Sequence, residues 1–219
     1  MKQTLFIAGI IFALLVLILT GSREISRRLS SASPEAAILG VEACNQPCWH
    51  GIHPGVTTLD QAAENLRADQ VLVANVLDVQ LGDFASRRRE VCWQIRSQLD
   101  WRGCALRDQG FAGPINRVEL EPPDPGLSLG DTILLFGNPV AAEYCVRLGF
   151  YYAFVYFPDN VEVRARGESP IQSGAAAPRY DPTMQVFMVR YHYPADEPPY
   201  AFDTPRWRGF TYVRGRAGC

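Results

Sequence analysis

The chain has no Gly-x-x-x-x-Gly-Lys phosphate loop and no His-Glu-x-x-His pair. Their absence removes the signatures of the P-loop nucleotidases and the zincin proteases. A Cys-x-x-Cys redox pair is also missing, which argues against thioredoxin-type chemistry. Positive charge is not in surplus either, since the net charge is -2. A phosphate-binding surface needs a basic excess or stripe, so nucleic acid is not an expected partner. Arg87, Arg88 and Arg89 form the single basic run, and its place between two strand-like segments reads as a solvated hairpin tip. No cofactor is expected.

What the chain does have is an uncharged apolar run from Leu5 to Leu19. With Thr4 and Thr20 it approaches the roughly 17 to 20 residues that cross a bilayer as a helix. Gly21, Ser22 and Arg23 make a poor cleavage site, so the run is expected to be an uncleaved single-pass anchor over residues 4–20 rather than a removed signal. Arg23, Arg27 and Arg28 after the helix outnumber Lys2 before it, which alone would leave the body inside the cell. Cysteine usage points the other way: Cys44, Cys48, Cys92, Cys104, Cys145 and Cys219 are an even set that suits an oxidising, extracytoplasmic compartment.

Residues 21–40 are rich in Ser, Arg and Ala and read as a flexible tether. The body is expected to divide at the Pro-rich joint of residues 121–126 into modules over 41–120 and 121–219. Strands are predicted at residues 71–79, 90–95, 115–120, 150–157, 161–165, 184–191 and 207–213, all rich in β-branched or aromatic residues. Glu162 and Arg164 alternate with Val161, Val163 and Ala165, as in a strand with one wet face.

Two segments have helical periodicity instead. Thr57 is read as an N-cap with Asp60 three residues on, and Leu59, Ala62, Ala63 and Leu66 fall on one helical face. Ser128 and Asp131 repeat the cap, Leu129, Thr132, Ile133 and Phe136 repeat the face, and Gly137 and Pro139 stop the helix. The expected fold class is therefore α+β: an N-terminal transmembrane helix followed by two helix-plus-antiparallel-sheet modules.

The order Gly126, Ser128, Phe136, Gly137, Pro139 at this spacing resembles the helix-and-sheet module of β-lactamase-inhibitor proteins and of the small lipoproteins of outer-membrane assembly; the first copy matches at Gly55 and Thr57. The stretch from Pro47 to Thr58 is similar to openings of uncharacterised membrane-anchored bacterial proteins. The resemblance implies a non-enzymatic binding or envelope-assembly module, with another envelope protein or a glycan as partner; it names no ligand.

Cys44, Cys48, His50 and His53 are the best candidates for chemistry, because two thiolates and two imidazoles can form a tetrahedral zinc site. Four ligands within ten residues are compressed for such a site, and a Cys44–Cys48 or longer-range disulfide beside a packed Trp49 is the simpler reading, with the two histidines then ordinary polar residues of the turn. Cys92 and Cys104 flank Trp93 and Trp101 across an expected hairpin and are candidates for a pinning disulfide. Asp60 and Glu64 read as a cap and a solvated side chain, and His192 as a hydrogen-bonded structural histidine. Tyr200, Phe202 and Trp207, beside a Pro-rich loop, are a possible contact surface. Two functions follow: a membrane-anchored extracytoplasmic binding or scaffold module, or a redox or zinc protein using the Cys/His cluster.

Overall fold

The computed structural model describes residues 33–40, 47–81, 88–107, 113–147, 150–168, 180–193 and 206–210. Eight strands form one antiparallel sheet: β1 (Val73–Leu81), β2 (Arg88–Ile95), β3 (Gln98–Arg107), β4 (Arg117–Glu121), β5 (Ala141–Arg147), β6 (Phe150–Phe157), β7 (Val161–Glu168) and β8 (Gln185–His192). Their spatial order is β1-β2-β3-β4-β8-β7-β6-β5. Among the described residues three short α-helices accompany them: α1 (Pro34–Leu39), α2 (Leu59–Ala68) and α3 (Leu129–Phe136).

This corrects the expected fold class. The helices hold 6, 10 and 8 residues, and the sheet dominates. The Pro-rich joint does not separate the body into modules, because Arg117 to Leu120 of β4 pair with Val189 to His192 of β8 and carry the sheet across it. The expected membrane helix at residues 5–19 lies outside the described residues, and among the described residues no helix is long and apolar enough to cross a membrane. A single-pass membrane location is therefore not supported. The tether reading also fails at its end. Ser33 caps α1, Pro34 opens it, and Gly40 closes it at φ 65°, the left-handed conformation that glycine adopts without Cβ strain. Ile38 and Leu39 are buried in the core.

Period-two alternation builds that core. Val91, Trp93 and Ile95 of β2, Trp101 and Ala105 of β3, Val118 and Leu120 of β4, Val189 and Tyr191 of β8, and Val161, Val163 and Ala165 of β7 face one side and are almost wholly buried. All three helices pack on this side. α2 contributes Leu59, Ala62, Ala63 and Leu66, and α3 contributes Leu129 and Phe136, whose ring meets Phe157 and Tyr191. α1 is tied down by side chains donating to its terminal carbonyls, Trp49 Nε1 to Ile38 O at 2.7 Å and Tyr191 OH to Leu39 O at 2.6 Å.

Both longer helices begin with a reciprocal capping box, Ser128 with Asp131 in α3 and Thr58 with Gln61 in α2. The cap of α2 is thus one residue beyond Thr57, whose Oγ1 accepts from the His53 backbone N–H instead. Each cap also forms an isolated bridge, Thr58 to Pro114 in the loop ahead of β4 and Ser128 to Gln185 at the start of β8.

The hairpin of β2 and β3 is pinned by the disulfide Cys92–Cys104, whose two residues face each other directly in the ladder. On the other side of that hairpin, a Cβ at Gly103 would lie 2.3 Å from the Trp93 ring, so only glycine lets the indole lie over the strand. A disulfide closing a loop of about this length restricts the unfolded chain by roughly 2 to 3 kcal/mol. Replacing both Cys92 and Cys104 by serine is expected to lower the free energy of chemical unfolding by that amount, with no change in the far-ultraviolet circular dichroism of the folded protein.

Candidate binding surface

The face of the sheet opposite the helices carries the residues that alternate with the core. At its centre, four residues stand in one row across neighbouring strands: Glu119 of β4, Arg190 of β8, Glu162 of β7 and Tyr156 of β6. Arg190 Nη2 lies 2.8 Å from Glu119 Oε1, and Arg117 Nε donates to the same oxygen at 2.8 Å. Glu162 Oε1 accepts from Arg164 Nε at 2.5 Å, with Arg190 Nη1 3.9 Å away, and Glu162 Oε2 lies 2.7 Å from His192 Nε2. Tyr156 donates to Glu143 of β5. Two carboxylates therefore meet three guanidiniums and an imidazole.

Burial makes this network consequential. Only 4% of the Glu162 side chain is exposed. Burial alone would raise its carboxyl pKa, but the His192 hydrogen bond and the Arg164 charge outweigh it and bring the group down to about 2. Burial also lowers the Arg190 pKa, against the opposing pull of Glu119, and its Nε is buried without a partner. The Tyr156 phenol is pushed up, first by burial and then by its bond to Glu143.

Beside the row, β6 and β7 present aromatic rings under arginines. Arg164 lies 5.0 Å from the centroid of Phe154, and Arg166 lies 5.9 Å from that of Phe150. Phe150 is 43% exposed and contacts Tyr152, which meets Phe187 edge to face. Arg166 also pairs with Asp124.

The residues singled out from sequence are scattered. Cys48 is in a disulfide and presents no thiolate. The His50 ring lies against Trp49 and within 2.9 Å of the Ala37 carbonyl, whereas His53 enters its turn through its backbone, accepting from Val56 and Thr57. Cys44 lies outside the described residues, and among the described residues no group of three or more His, Cys, Asp or Glu side chains could hold a metal ion. Asp60 is paired with Arg89, which also bonds Asp78 at 2.6 Å, so this arginine of the basic run is a strand residue with partners rather than a solvated tip. Cys145 is in a disulfide as well. Trp207 packs against Tyr180 on the core side, whereas Tyr200, Phe202 and Cys219 lie outside the described residues.

Comparison with known proteins finds no matching family model, no similar curated protein and no similar solved structure. The chemistry of the surface is therefore what bears on function. Sequence reasoning missed Glu119, Arg190 and the arginine-covered aromatics as a group. The available signal was the polar alternation within β4, β7 and β8, of which only that of β7 is conspicuous.

Proposed function

We propose that this chain is a non-enzymatic binding module that contacts a protein partner through the sheet face over β4, β8, β7 and β6. The observation that carries the reading is the make-up of that face: Phe150, Tyr152, Phe154 and Phe187 interleaved with Arg164 and Arg166. Aromatic residues and arginine are the types enriched in the cores of protein interfaces and in their energetic hot spots. The buried Glu119–Arg190–Glu162 row beneath them supplies a stiff base, because each charge is held by an oppositely charged neighbour.

The geometry favours a protein over a glycan. Sugar rings stack on aromatic faces that are open and roughly coplanar, but Phe150 and Tyr152 are inclined by 56° and Tyr152 and Phe187 by 85°. Two of the ring faces are already covered by guanidiniums. Such a surface offers ring edges and arginine forks, which suit side chains and backbone carbonyls.

A benzoylphenylalanine photo-crosslinker placed at Tyr152 in the full chain, expressed in its own host, tests the reading. A discrete protein adduct is expected at Tyr152 and none with the crosslinker at Gln61, which is exposed on α2. Adding Phe150→Ala is expected to cut the yield by about tenfold, the effect of losing one hot-spot anchor. Equal adducts at both positions, or none at Tyr152, would overturn the proposal.

A further inference from the structure

We infer that Cys145 of β5 is bonded to Cys219, a disulfide that ties the chain beyond Trp207 to the edge of the sheet, and that Cys48 is bonded to Cys44. The inference goes beyond the binding-module reading and does not depend on it.

The chain has six cysteines. Cys92 and Cys104 are joined to each other, and Cys48 and Cys145 are each in a disulfide. Either those two are bonded together, or they take Cys44 and Cys219 in one of two pairings.

Position decides among the three. Cys48 adjoins Trp49, which lies in the core on the helix side and stacks on Trp93 of β2, the ring that covers Gly103 of β3. Cys145 stands opposite Tyr152 in the β5–β6 ladder, and Tyr152 alternates with Tyr151, which belongs to the core. Cys145 therefore lies on the other face of the sheet, on the edge strand five places from β3 and six from β2. At about 4.8 Å per strand the separation is roughly 24 to 29 Å, whereas disulfide-bonded Cα atoms lie within about 7 Å of each other. That excludes a Cys48–Cys145 bond. Cys44 is four residues from Cys48 and reaches at most about 14 Å from it, which leaves it short of Cys145 and on the wrong face.

Cys219 meets the requirement. Trp207 is held beside the start of β5, where its N–H donates to the Val140 carbonyl and Arg206 bridges to Ala141. From Val140 to Cys145 is roughly 17 Å along the strand, well within the roughly 40 Å that the twelve residues from Trp207 to Cys219 can span. A tether fixed at both ends of β5 guards an edge strand, whose unpaired backbone groups otherwise invite pairing with another chain.

Tryptic digestion of the full chain, purified from its own host without reductant and alkylated with N-ethylmaleimide, tests the pairing. Cleavage after arginine separates residues 118–147 from the peptide that begins at Ala217, and leaves Cys44 and Cys48 together in residues 29–67. Mass spectrometry is expected to find 118–147 joined to the Ala217 peptide, and 29–67 as one peptide with an internal disulfide. Any other partner for Cys145, or its recovery in alkylated form, would overturn the pairing. Light scattering on warming then tests the guarding role: Cys145→Ser/Cys219→Ser is expected to self-associate several-fold faster than Cys44→Ser/Cys48→Ser, which also lacks one disulfide. Equal rates would remove that role and leave the bond.

Discussion

Replacing Trp49 by alanine is expected to lower the free energy of unfolding by about 4 kcal/mol, the largest single-residue effect in this fold. The side chain is wholly buried, its ring stacks on Trp93 with centroids 4.7 Å apart, and its Nε1 donates to the Ile38 carbonyl. Alanine removes the ring volume and the aromatic pair together, and leaves a helix-terminal carbonyl of α1 without its donor. Equilibrium denaturation in urea measures the loss as a shift in midpoint at constant slope. Trp49→Phe should recover the packing but not the hydrogen bond, and so fall between the two. A midpoint for Trp49→Ala within experimental error of the parent would mean that α1 and the Trp49 turn contribute nothing to the cooperative unit.

Glu162 is expected to be nearly as costly to remove, and its effect depends on pH. Glu162→Ala leaves Arg164, Arg190 and His192 around a vacated buried position, a change of about 3 to 5 kcal/mol. In the parent the folded carboxyl titrates at about 2 against an ordinary value of 4.5. A folded-state pKa below the unfolded one means that the unfolded chain binds the proton more readily. The stabilisation is therefore fully present above about pH 5 and is withdrawn as pH falls towards 2, by on the order of 3 kcal/mol. Urea midpoints measured across that range should fall steeply for the parent and much less for Glu162→Ala. Parallel pH profiles in the two proteins would contradict the buried ion pairing.

The helices were legible because their signals are local. Ser128 with Asp131, and the apolar face of Leu59, Ala62, Ala63 and Leu66, need no tertiary partner to be read. The cap of α2 slipped by one because two threonines are adjacent and both Asp60 and Gln61 can complete a box. β3 and β5 escaped for different reasons. Gly103 interrupts β3 because Trp93 lies over it, and β5 opens with two alanines, both buried, that carry little strand propensity. α1 has only six residues, too few for a period, although Ser33, Pro34 and Gly40 are all terminus signals. The charged row was the least legible element. Glu119, Glu162 and Arg190 come from three strands whose adjacency depends on the β4–β8 pairing, and no local pattern encodes that pairing.

That pairing bears on how the chain reaches its fold. β1 to β4 form a meander of chain neighbours, and such short-range pairings close quickly, whereas the β4–β8 seam joins residues far apart in sequence and must wait on a large loop closure. The seam is thus expected to form late, and Glu119 facing Arg190 in its ladder fixes its register. A slip of one residue would turn Glu119 towards the core and Leu120 to solvent, an exchange no buried charge can tolerate. The ion pair that stiffens the mature surface thereby also proofreads the joining of the two sheet halves.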